Sequence, residues 1–456
     1  MSQSLIVSVS GMRGIVGADL TPELVARYAA ALGAWAGAMG APRVVLGRDA
    51  RTSGPMFARA ATAGLMSVGV QVLDVGLVPT PTVQLAVEHH QAGAGLILTA
   101  SHNPIEWNAL KFVGPDGMFL DEEAGAEIRR LAEQGPERVG WDRIGQVVPD
   151  GGAVERHLEA VLALPYVDVP AIRNRRFTVA LDCVRGAGGT AIPALLERLG
   201  CTVVGINLET DGLFPRPPEP VPEQLGDLER LVRETNADLG FAVDPDGDRL
   251  ALVDEHGQAI GEDYTLAFAV RSVYGSPPRL DGPNRRAVVA NLSTSLVVED
   301  AARATGARMV RAPVGEANVA RAIVKEKADI GGEGNGGVIL PSLHVGRDAP
   351  VGVALILHLL ARQGTAVSSL VEAGPRYHIV KSKLSRGSNL EPAYRALSDR
   401  FADATPDRRD GLRLAWSDRW LHLRPSGTEP IVRIIAEAPT RADADNLVAA
   451  CREILQ

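Results

Sequence analysis

Residues 96–104 read LILTASHNP, an apolar run that ends abruptly in a polar turn, with Ser101 at the junction. Residues 95–98 have the composition of a buried strand, whereas Ser, His, Asn and Pro in succession are turn formers. Ligands of open α/β sheets bind at the loops that follow the carboxyl ends of strands. The stretch therefore predicts that Ser101 presents its hydroxyl at the edge of a sheet, although a serine or asparagine that only caps a turn would give the same pattern.

The strand that precedes Ser101 belongs to a pattern that occurs three times. The copies comprise strands at 43–49, 69–75 and 95–98 with a helix at 56–68; strands at 177–183, 200–206 and 237–243 with helices at 190–199 and 224–236; and strands at 287–292, 306–312 and 328–330 with helices at 295–305 and 316–326. Strands separated by helices predict βα units with largely parallel pairing. Each copy ends its third strand in an unusual loop, at Ser101, at Asp244 and at residues 332–337 (GEGNGG).

The domain organisation follows from this repeat. Beyond Gly364 the pattern changes to short strands joined by hairpin-like turns, which is typical of an α+β domain. The predicted fold class is α/β, with three similar α/β domains and a smaller C-terminal α+β domain. The predicted boundaries are 1–151, 152–256, 257–364 and 365–456.

Composition narrows the function classes. The 456 residues carry a net charge of −8, which argues against a general nucleic-acid or membrane-surface role because both need a positive field. The amino-terminal residues lack the pattern of a signal peptide and no apolar run approaches the ~20 residues of a membrane span, so we expect a cytoplasmic protein. The widely spaced Cys183, Cys201 and Cys451 indicate neither a disulfide framework nor a zinc site.

Residues 244–249 (DPDGDR) place three carboxylates at alternate positions of a turn. Such oxygen ligands suit a hard cation such as Mg²⁺, and the clustered acids would repel one another without one. A calcium loop of the EF-hand type is the rival interpretation, since Glu255 stands at the twelfth position. That loop needs glycine at the sixth position, where Arg249 stands, and a helix before it, where a strand is predicted. A solvated turn is the remaining alternative.

A serine, a Mg²⁺ site and cationic partners suit phosphoryl transfer, in which catalysis is mainly positioning and charge stabilisation. Ser101 is a candidate covalent carrier that would split one transfer into two. Lys111, shortly after it, is a candidate proton donor or acceptor if nearby cations depress its pKa, although a surface lysine would explain it equally well.

Two further loops have the composition of ligand sites. The glycine-rich residues 331–337 allow a close approach of the backbone, and Glu333 and Asn335 offer partners for sugar hydroxyls, unless the loop is only a flexible hairpin. Residues 424–430 (RPSGTEP) could hold a phosphate, although a plain turn is possible. The candidate phosphate ligands are Arg424, Ser426, Gly427, Thr428 and Arg433.

Together, TASHNP, DPDGDR, GEGNGG and RPSGTEP resemble the phosphoserine, metal, sugar and phosphate loops of the α-D-phosphohexomutase family, in the family's order and over nearly the whole chain. The resemblance implies three related α/β domains with mixed sheets and a smaller fourth domain around a central cleft. It also implies that phosphoserine exchanges a phosphoryl group with a hexose monophosphate through a bisphosphate intermediate.

The same resemblance implies roles for individual residues. Ser101 would carry the phosphoryl group and, with Asp244, Asp246 and Asp248, would bind one Mg²⁺ per chain; His102 and Lys111 would assist proton transfer and phosphate contact; Arg249 would lie beside the metal loop; and Arg13 would line the cleft. A hexose bisphosphate would act as activator. The cluster of Arg48, Asp49 and Arg51 has no assigned role and is compatible with a structural ion-pair group.

The expected partner is a small hexose phosphate, without nucleic acid or membrane, for a monomer or homodimer. Asn335 stands where phosphomannomutase/phosphoglucomutase members usually have serine, and Val314-Gly315-Glu316 stands where they have Thr-Gly-His. These differences favour phosphoglucosamine mutases, with Glu316 facing the cationic 2-amino group. Phosphomannomutase/phosphoglucomutase activity, a metal-dependent sugar phosphatase and a non-catalytic sugar-phosphate sensor remain alternatives.

Overall fold

The computed structural model of the protein describes residues 6–8, 11–275, 286–385, 389–426 and 431–455. Within these ranges the chain forms four sheets in sequence order, and we name each sheet with its helices as domains I to IV. No helix in these ranges is both long and apolar enough to cross a membrane.

Domain I contains a mixed sheet. Its strands are β1 (Ile6–Ser8), β2 (Gly11–Ile15), β3 (Arg43–Arg48), β4 (Gln71–Leu77), β5 (Ala94–Leu98), β6 (Trp107–Val113) and β7 (Val147–Pro149). Its helices are α1 (Pro22–Ala38), α2 (Gly54–Met66), α3 (Thr80–His89) and α4 (Glu122–Gln134). The strand order is β1-β2-β6-β5-β3-β4-β7.

Domains II and III follow with a smaller sheet each. Domain II comprises α5 (Ala153–Leu162), α6 (Val169–Arg175), β8 (Thr178–Asp182), α7 (Ile192–Arg198), β9 (Thr202–Ile206), α8 (Gly226–Thr235), β10 (Leu239–Val243) and β11 (Leu250–Val253). Domain III comprises α9 (Asp263–Gly275), β12 (Ala287–Asn291), α10 (Leu296–Ala304), β13 (Arg308–Ala312), α11 (Glu316–Glu326), β14 (Ile330–Glu333), β15 (Gly337–Ile339), α12 (Ala349–Gln363) and α13 (Val367–Glu372).

Domain IV has an antiparallel sheet in the order β16-β20-β19-β18-β17. Its elements are β16 (His378–Ser385), α14 (Glu391–Arg400), β17 (Thr405–Asp407), β18 (Leu412–Ala415), β19 (Trp420–Pro425), β20 (Ile431–Ala438) and α15 (Arg441–Leu455). The predicted fold class, three similar α/β domains followed by an α+β domain, is therefore confirmed.

The first three domains share one strand arrangement. A first strand pairs in parallel with the second on one side and with the third on the other, and an antiparallel fourth strand then pairs with the third. The resulting orders are β4-β3-β5-β6, β9-β8-β10-β11 and β13-β12-β14-β15. The unusual loop of each copy is the hairpin between its third and fourth strands. The predicted repeat exists, and an antiparallel fourth strand beside the parallel ones makes each sheet mixed, as the family resemblance implied.

Helix α3 completes the repeat in domain I, where the sequence analysis assigned no helix between the second and third strands. Pro79 and Pro81 make this stretch look like a loop, but they lie at the helix start, where proline is tolerated because the first amides have no helical partner. Strand β5, by contrast, is buried throughout, as expected for a strand inside a sheet, here between β3 and β6, with both faces covered.

The apolar cores do not correspond one to one with the four domains. One apolar cluster runs through domains II and III and includes Phe241 of β10, Val288 of β12 and Leu355 of α12. Domain IV has a cluster of its own, which includes Leu397 and Leu423. Domains II and III therefore share a core, whereas domain IV does not contribute to it.

The contact between domains III and IV is polar. The buried Glu437 of β20 accepts hydrogen bonds from the Ser295 hydroxyl and, at 2.9 Å, from the amide of Leu296 at the start of α10. His422 Nδ1 lies 2.8 Å from Ser293 Oγ. A carboxylate at a helix amino terminus interacts favourably with the free amides and the helix dipole, so Glu437 fastens the two domains together.

Candidate active site

The loop between β5 and β6 holds Ser101 in an uncommon conformation. Its φ of +47° lies in the left-handed region, which side chains with a β-carbon seldom adopt. Its amide donates to Thr99 Oγ1 at 2.9 Å, and its hydroxyl donates to Asp244 Oδ2 at 2.8 Å. The structure therefore brings the serine and the metal loop of domain II into direct contact.

The buried Arg51 shapes the serine loop. Its two terminal nitrogens donate to four carbonyl oxygens of this loop. The acceptors are Ser101 (2.6 Å), Asn103 (2.7 Å), Pro104 (2.6 Å) and Trp107 (2.8 Å). Its Nε pairs with Asp49 at 3.1 Å, and Asp49 also accepts from the Thr99 hydroxyl. Asp49 and Arg51, to which the sequence assigned no role, therefore support the backbone around Ser101.

The loop between β10 and β11 gathers three buried carboxylates. One oxygen each from Asp244, Asp246 and Asp248 lies within 4.8 Å of the others. Burial and the neighbouring Asp248 and Asp246 raise the pKa of Asp244 well above its usual value. Within the described chain, Asp246 Oδ1 and Asp248 Oδ1 are buried without a hydrogen-bond partner. Buried oxygens without partners, in a set made only of carboxylates, fit a divalent cation such as Mg²⁺.

Lys111 of β6 lies against this cluster. Its Nζ is 2.7 Å from Asp246 Oδ2 and 3.7 Å from Asp248 Oδ2. Burial lowers the pKa of Lys111, but the two carboxylates outweigh burial and raise it above its ordinary value. The nearest charged groups are therefore carboxylates, and the role of Lys111 in proton transfer stays a prediction.

His102, Arg13 and Arg249 lie on the other side of the serine. His102 Nδ1 is 3.4 Å from the hydroxyl of the preceding residue, and Arg249, burial and Arg13 hold its pKa well below the usual value. Arg13 of β2 donates to the side chain of Asn103 at 3.2 Å. Arg249 pairs with Glu219 at 2.8 Å and lies 3.8–3.9 Å from carboxylates of the metal loop. These cations give the cleft the positive charge that a phosphate needs.

The loop of domain III joins the same cleft. Glu333, at the end of β14, accepts hydrogen bonds from the Asn291 side chain at 2.8 Å and from the amide of Gly315 at 3.1 Å. Asn335 is partly engaged within its own turn, where its Oδ1 accepts from the amide of Gly337 at 3.2 Å. Glu316, at the start of α11, is buried beside them.

Arg347, which sequence reasoning missed, connects these loops. Its guanidinium lies 2.7 Å from Asp248, 2.9 Å from Glu333 and 3.0 Å from Glu316. Burial raises the pKa of Glu316, whereas at Glu333 burial is outweighed by Arg347 and the hydrogen bond from Asn291 together with smaller contributions, so its pKa is lowered. One buried cation thus faces three carboxylates from two domains.

The predicted phosphate ligands of domain IV are described only in part. Arg424 of β19 and Arg433 of β20 are register partners, so two guanidiniums start from opposite positions of neighbouring strands. Two guanidiniums on neighbouring strands are groups that suit a phosphate, and Arg424 also pairs with Asp410 at 2.9 Å. Ser426 is buried next to them. Gly427 and Thr428 lie outside the described residues.

Asp410 links this part of domain IV to domain III. Its Oδ2 accepts from Arg424 Nε at 2.9 Å and from the amide of Val314 at 3.1 Å, two positions before Glu316. Thr80 donates a hydrogen bond to Asp246 at 2.7 Å. Three residues of this site were not predicted from the sequence: Thr80, Arg347 and Asp410. Only the Gly-Arg-Asp letters of residues 346–348, which repeat those of 47–49, could have drawn attention to Arg347.

Comparison with known proteins agrees with this architecture. The chain matches four models described as phosphoglucomutase/phosphomannomutase domains I, II, III and the C-terminal domain, over residues 5–139, 155–257, 262–377 and 382–454. A probable phosphoglucosamine mutase of Methanopyrus kandleri is 38% identical over 442 residues, 96% of this chain and 95% of the relative. A phosphoglucomutase/phosphomannomutase of Thermococcus kodakarensis is 37% identical over 95% of this chain and 94% of the relative.

A solved structure of a phosphoglucomutase/phosphomannomutase family protein from Burkholderia thailandensis superimposes with a TM-score of 0.87 at 26% identity, covering 100% of this chain and 97% of that one. Fold, motifs and matches together define an α-D-phosphohexomutase, an isomerase that acts as an intramolecular phosphotransferase. The chain belongs to the phosphoglucomutase/phosphomannomutase family, whose four domain models it matches in order.

Proposed function

We propose that this protein moves a phosphoryl group between C6 and C1 of a hexose phosphate, with Ser101 as the covalent carrier. The observation that carries the proposal is the 2.8 Å hydrogen bond from the Ser101 hydroxyl to Asp244, in a cluster where Asp246 and Asp248 each keep one buried oxygen without a partner. A nucleophile beside a cation site is the arrangement that phosphoryl transfer requires.

The proposed reaction has two balanced halves. In the first, the bond from phosphorus to Ser101 Oγ breaks, a bond from phosphorus to the free sugar hydroxyl forms, and the hydroxyl proton is released while serine regains one. The bisphosphate then turns over, and the second half returns the other phosphoryl group to the serine. Both ends of the sugar must therefore bind at the serine in turn.

The residues around the serine divide the remaining work. Ser101 and the three aspartates would hold one Mg²⁺, which when bound neutralises charge on the transferring group. Lys111 and His102 flank the serine and the metal loop and are the groups proposed to contact phosphate and move protons. Arg13 and Arg249 add positive charge. A hexose bisphosphate would prime the enzyme by phosphorylating the serine.

The distal part of the substrate would lie between domains III and IV. Glu333 and Asn335 offer acceptors and donors to sugar hydroxyls. The opposed Arg424 and Arg433, with Ser426, Gly427 and Thr428, would hold the phosphate that is not reacting. The hydrogen bond from the Val314 amide to Asp410 supports a phosphate site close to the sugar site.

We propose glucosamine-6-phosphate as the substrate, with glucosamine-1-phosphate as the product. Glu316 and Glu333 share the single guanidinium of Arg347, so their two carboxylates leave negative charge for a cationic amino group. Glu316 Oε2 lies 3.0 Å from Arg347 Nε but makes no aligned hydrogen bond among the described residues. The 38% identical relative named phosphoglucosamine mutase supports this choice. The 37% identical relative named phosphoglucomutase/phosphomannomutase makes glucose or mannose phosphate the second candidate.

The test compares turnover of glucosamine-6-phosphate, mannose-1-phosphate and glucose-1-phosphate in the presence of Mg²⁺ and a trace of hexose bisphosphate. We expect the amino sugar to react fastest and Ser101→Ala to lower isomerisation by at least about a thousandfold, as loss of a covalent nucleophile does. Intact mass after incubation with the bisphosphate should gain one phosphoryl group in the unmodified protein and none in the variant.

Each alternative predicts a different result. Release of inorganic phosphate without isomerised sugar phosphate would indicate a phosphatase. A preference for mannose or glucose phosphate would overturn the amino-sugar assignment while leaving the mutase reaction in place. Full activity of Ser101→Ala would contradict the covalent carrier.

A further inference from the structure

Arg347 lies where the metal loop, the sugar loop and the start of α11 meet, and neither the repeat nor the motifs assign it a role. It stands between β15 and α12, with its side chain buried. Nη2 contacts Asp248 of the metal loop, Nη1 contacts Glu333 of the sugar loop, and Nε faces Glu316, at 2.7, 2.9 and 3.0 Å. The backbone amide of Arg347 also donates to Glu316 Oε1 at 3.1 Å.

The backbone that carries Arg347 is firmly held. The next residue, Asp348, caps α12 by accepting from the amide of Val351 at 2.9 Å. The other oxygen of Asp348 lies 2.8 Å from His157 and 3.0 Å from His344. A side chain mounted on such an anchor loses little further freedom when it binds, so it can orient its partners.

The Arg347 side chain also fills the space next to Gly337 of the sugar loop. A β-carbon added at Gly337 would lie 2.2 Å from Arg347 Cδ and 2.8 Å from its Cγ. Those distances are far below contact range, so a side chain at position 337 would displace the arginine. Gly337 and Arg347 therefore form a matched pair in this chain.

At the metal loop, Arg347 determines which oxygen of Asp248 is available. Asp248 Oδ2 is bound by the guanidinium, while Oδ1 is buried without a partner among the described residues. Asp246 shows the same division, since its Oδ2 is bound by Lys111 and Thr80 and its Oδ1 has no such partner. Groups that fix the orientation of metal ligands in this way typically change metal affinity 10–100-fold when removed.

We propose that Arg347 is a positioning residue that couples cation binding at the metal loop to sugar-phosphate binding at Glu333 and Glu316. The inference rests on the proposed function, in that both sites belong to one reaction. Asp248 Oδ1 is the oxygen available to a cation, while Oδ2 stays bound to the guanidinium. The other nitrogens of the guanidinium contact Glu333 and Glu316 and orient them for the sugar. By linkage, the factor by which the cation strengthens sugar binding equals the factor by which the sugar strengthens cation binding.

The experiment measures Mg²⁺ affinity by calorimetric titration of the full chain with unphosphorylated serine, with and without saturating glucosamine-6-phosphate. In the unmodified protein we expect the sugar phosphate to tighten Mg²⁺ binding by about fivefold or more, within the usual range of such coupling. In Arg347→Gln we expect Mg²⁺ alone to bind about tenfold more weakly and the sugar phosphate to change that affinity by less than about twofold.

Glu333→Gln is the second variant and protects the test if Arg347→Gln does not fold. It weakens the contact of the arginine with the sugar loop and leaves the contacts with Asp248 and Glu316, so Mg²⁺ alone should bind as in the unmodified protein while the coupling falls. Thr80→Val is the matched control, because Thr80 also holds an aspartate of the metal loop, at 2.7 Å, but contacts neither glutamate. It should weaken Mg²⁺ binding and keep the coupling.

Persistent coupling in folded Arg347→Gln or in Glu333→Gln would overturn the inference, as would the absence of coupling in the unmodified protein. The proposed function fails separately, when the unmodified protein isomerises no hexose phosphate. A purely structural role for Arg347 would lower thermal stability and leave the ratio of the two Mg²⁺ affinities unchanged.

Discussion

Domains II and III are joined by apolar side chains, whereas domain IV is joined to domain III by hydrogen bonds. Phe241, Val288 and Leu355 belong to one buried cluster across the first joint, and burying each such side chain stabilises by about 1.5–3 kcal/mol. At the second joint, Glu437 binds the start of α10, and a hydrogen bond contributes a net of about 0.5–1.5 kcal/mol because water can replace it. The difference indicates that domains II and III behave as one body and that domain IV can separate from them without unfolding.

The sharpest way to test this contrast is to weaken each core. Leu355→Ala, in the shared core, should lower stability by about 2–5 kcal/mol, and domains II and III should unfold together at the lower temperature. Leu423→Ala, in the separate core of domain IV, should have an effect of similar size confined to domain IV. Calorimetry combined with hydrogen exchange of each domain measures both. Equal loss of protection in domains II and III in the Leu423→Ala variant would break the comparison.

A smaller effect is expected at the polar joint itself. In Glu437→Gln one carboxylate oxygen becomes an amide nitrogen that cannot accept from Ser295 or Leu296, at a cost of about 1–3 kcal/mol. Hydrogen exchange should rise at β20 and at the start of α10, with the transition of domains II and III unchanged. Arg409→Ala is the control, since it removes the exposed bond to the Arg311 carbonyl and the exposed ion pair with Asp407 and should cost less than about 1 kcal/mol. An equal response of the two variants would show that Glu437 does not fasten the joint.

A dependence of stability on pH is also expected at the same joint. Burial, with Glu262 nearby, raises the pKa of Asp263 to about 8, and Asp263 accepts a hydrogen bond from the amide of Ser295 at 2.8 Å. The native carboxyl keeps its proton up to about pH 8, whereas an unfolded aspartate loses it near pH 4. The stabilisation is therefore complete below about pH 4 and is lost as pH rises to about 8.

Thermal melts between pH 5 and pH 9 check this sign. Relative to Asp263→Asn, the unmodified protein should lose about 2–4 °C of melting temperature for each kcal/mol that is lost as pH rises to about 8, and the two curves should run parallel above that value. Identical pH profiles for the two proteins would mean that Asp263 does not keep its proton in the native state.

Much of the site was predictable because its signals are local. Ser101 follows a buried strand directly, and the three aspartates alternate within one turn, so neighbouring letters place both at strand ends. The hydrogen bond between Ser101 and Asp244 could be expected once the repeat was recognised, because equivalent loops leave equivalent sheet edges.

The parts that could not be predicted depend on distant contacts. Arg347 meets an aspartate 99 positions away, and nothing adjacent to it in sequence resembles a ligand site. The two aspartates beside Lys111 could not be expected either, because they lie more than a hundred positions away in the sequence. The fourth strand of each repeat was missed because the segments before β6, β11 and β15 are polar or glycine-rich. Such segments predict loops and do not indicate that an antiparallel strand follows.

The four carbonyl oxygens that Arg51 binds have a consequence for any anion that approaches Ser101. Peptide oxygens are electron-rich, and a loop that turned them toward the cleft would repel an incoming phosphate. Here the buried guanidinium engages all four oxygens, so they are directed away from the anion, which meets the cationic side chains of Arg13 and Arg249 instead. Arg51, which does not face the anion, thereby sets the charge that the anion meets as it approaches Ser101.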